Sequence, residues 1–83
     1  MISPAQLRAA RALLGIDQRT LAEMAGVSLP TIQRMEASTG NVRGVIDTLT
    51  KVVQAIENAG VELIGNEQPS QGRGRGVRLK DAP

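Results

Sequence analysis

Apolar residues recur at helical spacing through residues 1–60 and at alternate positions in two short runs after Gly60. Leu7, Ala10, Leu13 and Leu14 form the first stripe, with Arg8 and Arg11 off it. Ser3 is a favourable N-cap, and Pro4 suits the first helical position, where its missing N–H costs nothing. Gln6 stands at the capping-box spacing from Ser3, and Gly15 predicts the stop. A second helix opens at Asp17 and runs through Ala25, with Leu21, Ala22 and Ala25 inward and Gly26 ending it. A third opens at Ser28, tolerates Pro30 in its first turn, and turns Ile32 and Met35 inward. Ser38-Thr39-Gly40-Asn41 is a turn cluster. Val45, Leu49, Val52, Val53 and Ile56 predict a fourth helix over about Gly44 to Asn58, for which Asp47 offers a second N-cap.

Val61-Glu62-Leu63-Ile64 and Val77-Arg78-Leu79-Lys80 alternate apolar with polar residues for most of their length. The glycine-rich stretch between them, including Gly72-Arg73-Gly74-Arg75-Gly76, makes a flexible connection. The pair reads as an antiparallel hairpin with a long loop. A lone two-stranded hairpin is marginally stable in water. This one must lie on the helices, pair with a partner's strand, or stay partly loose. The expected fold is mainly α, with four to five helices and a C-terminal β-hairpin. The expected division is a helical domain over 1–60 and a hairpin segment over 61–83.

Composition narrows the chemistry. The 83 residues contain no Cys, His, Trp, Tyr or Phe. That excludes disulfides, Cys or His zinc sites, and Ser–His or Cys–His catalytic pairs. It also removes the aromatic platforms on which single-strand binders stack bases. Ser, Thr, Asp and Glu show no catalytic arrangement, and no enzyme, metal or cofactor is expected. The hydrophobic fraction of 41% is enough for one core. Apolar runs are too short to span a membrane, and no basic-then-apolar export signal opens the chain, so the expectation is a cytoplasmic protein. The net charge of +2 permits nucleic-acid binding without arguing for it.

The informative stretch is Asp17 to Glu36. Mechanically it is two short helices joined at Gly26-Val27-Ser28. Ala22 lets the helices touch, Gly26 takes the left-handed turn, Val27 plugs the gap, and Ile32 packs back. Such a pair presents its second helix rigidly, at a width that fits the major groove. The Leu-Ala-Glu-Met-Ala-Gly-Val-Ser run, with Ile32 and the Arg-Met-Glu ending at Glu36, resembles the lambda-repressor/Cro type of helix-turn-helix, the Xre family. The flanking Leu7…Arg11…Leu13-Leu14-Gly15 and Thr48-Leu49…Ala55-Ile56 segments match that family's neighbouring helices, so the resemblance covers about residues 4–60.

The resemblance implies a lambda-repressor-like domain whose recognition helix runs from Ser28 to Met35. It implies base contacts from Leu29, Pro30, Thr31, Gln33 and Arg34, and phosphate contacts from Gln18, Ser28, Ser38, Asn41 and Arg43. Arg34 could fork onto guanine and Gln33 pair with adenine. Leu29 and Pro30 stand where many relatives carry polar readers; their apolar surface suits a thymine methyl. Asp17 stands where Ser or Thr is common, and its carboxylate competes with a phosphate for the positive end of the helix. Glu36 is expected to be a structural partner for an arginine or a backbone N–H. Arg8 and Arg11 are expected on a solvated face, one of them a candidate partner for Glu36. Met24 and Met35 are expected core fillers.

The function implied is a sequence-specific, double-stranded-DNA-binding transcriptional regulator, a dimeric repressor that covers a promoter. Small helix-turn-helix proteins bind as dimers so that two recognition helices meet successive turns of DNA. Val61, Leu63, Val77 and Leu79 are expected to line one hairpin face and bury against the second subunit. The alternative is a protein-interaction module, such as an antitoxin that docks a toxin or an adaptor subunit, with autoregulation of its own promoter.

Overall fold

The computed structural model describes residues 2–39, 46–68, 72–74 and 76–80. In chain order these form α1 (Pro4–Leu14), α2 (Gln18–Ala25), α3 (Leu29–Ala37), α4 (Ile46–Asn58), β1 (Val61–Ile64) and β2 (Gly76–Leu79). Gly44 and Val45 at the expected start of the fourth helix, and Gly40 and Asn41 of the turn cluster, lie outside the described residues.

Local chemistry sets the helix starts. Ser3 Oγ accepts from the Gln6 N–H at 3.2 Å, and Gln6 Oε1 accepts from the Ser3 N–H at 2.8 Å, closing the capping box. Asp17 accepts from the Thr20 N–H at 2.8 Å, and Ser28 Oγ from the Thr31 N–H at 3.3 Å. The stops are equally local. Gly15 and Gly26 are left-handed, with φ of 69° and 70°. A residue with a Cβ pays about 1–2 kcal/mol for that conformation. Each glycine donates back into the last turn, and the next N–H reaches one turn further: Ile16 to Arg11 O at 3.1 Å, Val27 to Ala22 O at 3.0 Å. Ile16 and Val27 then pack onto the core, which sets the angle at which the chain leaves each helix.

One core joins all six elements. Leu7 and Ala10 of α1, Leu21 and Ala22 of α2, Ile32 and Met35 of α3, Val52 and Ile56 of α4, and Val61 of β1 are buried together. Two expectations fail at the margins. Leu13 is 43% exposed and Met24 is 44% exposed. Helical geometry explains both. At about 100° per residue, Leu14 returns to within about 20° of Leu7, while Leu13 lies about 120° away. Met24 sits on the far side of α2 from Ala22 by the same count.

The hairpin pairs antiparallel in the register Val61↔Leu79, Glu62↔Arg78, Leu63↔Val77 and Ile64↔Gly76. It lies on α1 and α4. Of the face expected to meet a second subunit, Val61 is therefore corrected. Val61 is fully buried in this chain's own core, and Leu63, Val77 and Leu79 pack partly buried against it. The cause is area: the helices leave an apolar gap between α1 and α4, and the nearest apolar surface to fill it is the strand directly after α4.

Polar bonds hold the hairpin in place. Gln6 Nε2 donates to Ile64 O at 2.9 Å and to Gly76 O at 3.0 Å, so one amide clamps both strands to the start of α1. The Lys80 N–H donates to Gly60 O at 2.8 Å, and Lys80 Nζ to Glu57 O at 3.0 Å. The second bond places a cation on the carbonyl end of α4, where it is favourable. Glu62 and Arg78 form an exposed cross-strand ion pair at 2.6 Å.

Candidate nucleic-acid interface

α3 is two-sided. Ile32, Met35 and Glu36 are buried, while Pro30, Gln33, Arg34 and Ala37 are exposed. The exposed set recurs at i, i+3, i+4 and i+7, which is one continuous stripe of an α-helix. Leu29 and Thr31 are half-buried at its margins. Of the five residues expected to contact bases, Pro30, Gln33 and Arg34 thus share one outward face, flanked by Leu29 and Thr31.

The hydroxyls around this face are engaged within the protein. Ser28 Oγ and Thr31 Oγ1 are 2.8 Å apart, and Arg34 Nη2 donates to Thr31 Oγ1 at 3.4 Å. Ser38 Oγ donates to Arg34 O at 3.0 Å, closing the end of the helix. Asn41 and Arg43, expected on the phosphate backbone, lie outside the described residues.

The inward side is anchored by Glu36, whose side chain is only 4% exposed. Arg11 of α1 grips it with a fork, Nε to Oε2 at 2.7 Å and Nη2 to Oε1 at 2.8 Å. Gln18, the first residue of α2, donates Nε2 to Oε1 at 3.1 Å. Arg8 Nη1 donates to the Glu36 backbone carbonyl at 2.7 Å. One buried carboxylate therefore ties α1, the start of α2 and the end of α3 together, and sets the pose of α3 on the body. The hydrogen bonds that Arg11 donates to Glu36 raise the Arg11 pKa above its ordinary value, against a smaller opposing effect of burial. Its place on a solvated face is corrected accordingly: Arg11 is the partner that Glu36 was expected to find, while Arg8 stays exposed.

Gln18 is a further correction. Its side-chain amide donates to Glu36, so the phosphate contact expected of Gln18 falls to its backbone N–H at the helix start. Beside it, the Asp17 carboxyl is held below its ordinary pKa by the Thr20 N–H, and stays negative at the entrance of α2. Two roles were not legible in the sequence: the Gln18 bond to Glu36 and the Gln6 clamp on the hairpin. Glutamine carries no signal for where its amide points.

A helix-turn-helix family model matches residues 7–44. Over that segment the chain is similar to helix-turn-helix domains of the Xre/lambda-repressor type. No curated protein matches the chain. In the helix-turn-helix, α2 is the first helix of the motif, Gly26 to Ser28 the turn, and α3 the second helix. The family is one of DNA-binding transcription regulators and is not a family of enzymes. The matched segment contains the whole Glu36 network and the outward stripe of α3. No helix among the described residues is long and apolar enough to cross a membrane.

Proposed function

We propose that the chain is a cytoplasmic, homodimeric repressor that reads a specific double-stranded DNA sequence with α3. The observation that supports this best is the outward stripe of Pro30, Gln33 and Arg34 on a helix whose other side is anchored through Glu36. A reading helix must hold its side chains in fixed register against the base edges, and a buried bidentate pair supplies that rigidity. Leu29 and Thr31 flank the readers. Ser28, Ser38, Asn41, Arg43 and the backbone N–H of Gln18 meet phosphates on either side and set the register. Repression is steric, by occupation of a promoter. The second copy docks on the parts of Leu63, Val77 and Leu79 that the chain's own core leaves in solvent.

The test is a selection of bound fragments from randomised duplex DNA at about 100–150 mM salt, with the molecular mass of the protein measured by light scattering. An inverted repeat with half-sites about 10–11 bp apart, and the mass of a dimer, are the expected results. Arg34→Ala should weaken binding by about 1–3 kcal/mol and relax the preference at one base pair. Arg43→Ala should weaken all sequences alike and lower the salt slope by about one. A preference unchanged by Arg34→Ala removes the base-reading role of that residue.

A second reading, as a docking module for a partner protein such as a toxin, is favoured by one observation. Gly60 and Lys80 are bonded across the ladder, so the N–H and C=O groups of Val77 and Leu79 point away from β1. An extended segment of a partner could add to that edge. Failure of the DNA selection together with capture of a neighbouring gene's product would favour this reading.

A further inference from the structure

We propose that the recognition helix reads the C5 methyl group of a pyrimidine through Pro30 and Leu29, so that its site favours a methyl-bearing pyrimidine at one defined step of each half-site. The inference rests on the DNA-binding reading above and names what one part of that face recognises. The outward stripe divides into an apolar first turn, Pro30 with half-buried Leu29 beside it, and a polar second turn, Gln33 and Arg34. Neither side chain of the first turn can donate or accept a hydrogen bond. The two hydroxyls nearest to it, of Ser28 and Thr31, bond each other beside the proline. Ser28 Oγ accepts from the Thr31 N–H at 3.3 Å and lies 2.8 Å from Thr31 Oγ1, which also accepts from Arg34. At its outermost point, Pro30, the first turn therefore offers a base edge only C–H surface.

A cytosine N4 amino group, or a purine N7, set against that surface would lose its water and gain no partner, which is unfavourable. The one apolar group in the major groove is the methyl on C5 of thymine. The same methyl in the same place is carried by 5-methylcytosine, so both bases satisfy the contact and unmethylated cytosine does not. The second turn lies about 5 Å further along the helix, which places Gln33 and Arg34 on the next one or two base pairs at about 3.4 Å per step. The expected half-site thus carries a methyl-bearing pyrimidine next to base pairs read by hydrogen bonds.

The test alters the DNA and leaves the protein intact. In the sequence recovered by selection, each thymine is replaced singly by deoxyuridine and affinity is measured by fluorescence anisotropy of labelled duplex at fixed salt. At one position per half-site the replacement should weaken binding about fourfold, the worth of one buried methyl. At that position, replacing the T·A pair by C·G should weaken binding further, and 5-methylcytosine should recover about fourfold of the loss. Pro30→Ala should bind the thymine and deoxyuridine duplexes alike. A selected site without thymine, or one indifferent to deoxyuridine at every position, overturns the methyl contact and leaves sequence-specific binding standing. Recovery of no preferred sequence overturns both.

Discussion

Replacing Arg11 by Met should destabilise the protein more than replacing Glu36 by Gln, although both break the same ion pair. The two partners are not buried alike: the Glu36 side chain is 4% exposed and the Arg11 side chain 21%. Arg11→Met removes both arms of the fork, at 2.7 and 2.8 Å, and leaves a buried carboxylate held only by the Gln18 amide at 3.1 Å. An uncompensated buried charge of this kind costs about 3–5 kcal/mol. Glu36→Gln keeps the shape and one acceptor oxygen, and leaves an arginine that can still reach water. Its cost is that of weakened charge-assisted bonds, about 1–3 kcal/mol. A chain of 83 residues has about 4–12 kcal/mol in total. The arginine variant should therefore be near the edge of folding at room temperature while the glutamine variant remains folded. Urea denaturation followed by far-ultraviolet circular dichroism measures the difference; fluorescence would report nothing, because the chain has no Trp or Tyr. Equal costs, or a larger cost for Glu36→Gln, would falsify the argument that carboxylate burial dominates this network.

Three further outcomes are expected. Gln6→Leu removes the clamp on Ile64 O and Gly76 O together with half of the capping box; it should cost about 1–3 kcal/mol and speed amide exchange in β1 and β2 more than in α2 and α3. Uniform exchange across the molecule would refute the clamp. Gly26→Ala meets no atom within 4 Å, so its cost is purely the left-handed backbone at φ 70°, about 1–2 kcal/mol, read as a fall in Tm. A variant as stable as the parent would show that the turn relaxes to another conformation. The folded pKa of Asp17 lies below its ordinary value of 3.8, so its stabilisation is present above that pH and fades as pH falls through the folded value. The stability advantage of the parent over Asp17→Asn should thus be constant near neutrality and shrink in acid; a gap independent of pH down to about pH 2 would contradict the capping role. Arg11, with its pKa raised, stays charged throughout that range and adds no slope of its own.

The helices and their ends were legible because their causes are local. Ser3, Asp17 and Ser28 each bond an N–H three residues on, and Gly15 and Gly26 each close the turn behind them. Those contacts depend only on residue type and spacing. The hairpin was legible for the same reason, from alternation at period two, and so was α3, whose outward residues follow from which positions carry Ile32 and Met35. Direction through space was not legible. Alternation placed Val61, Leu63, Val77 and Leu79 on one face, but it carried no information on whether that face would cover α1 and α4 or a second subunit. Both choices bury the same residues, and the choice depends on how much apolar surface the helices leave uncovered once packed. The same holds for polar side chains. Glu36 was read correctly as a partner for an arginine, yet the addition of Gln18 to that pair, and the reach of Gln6 to both strands, depend on distances between elements far apart in the chain. Capping and periodicity act over three or four residues; the clamp from Gln6 spans 70 residues of sequence to Gly76 and exists only when the whole core has closed.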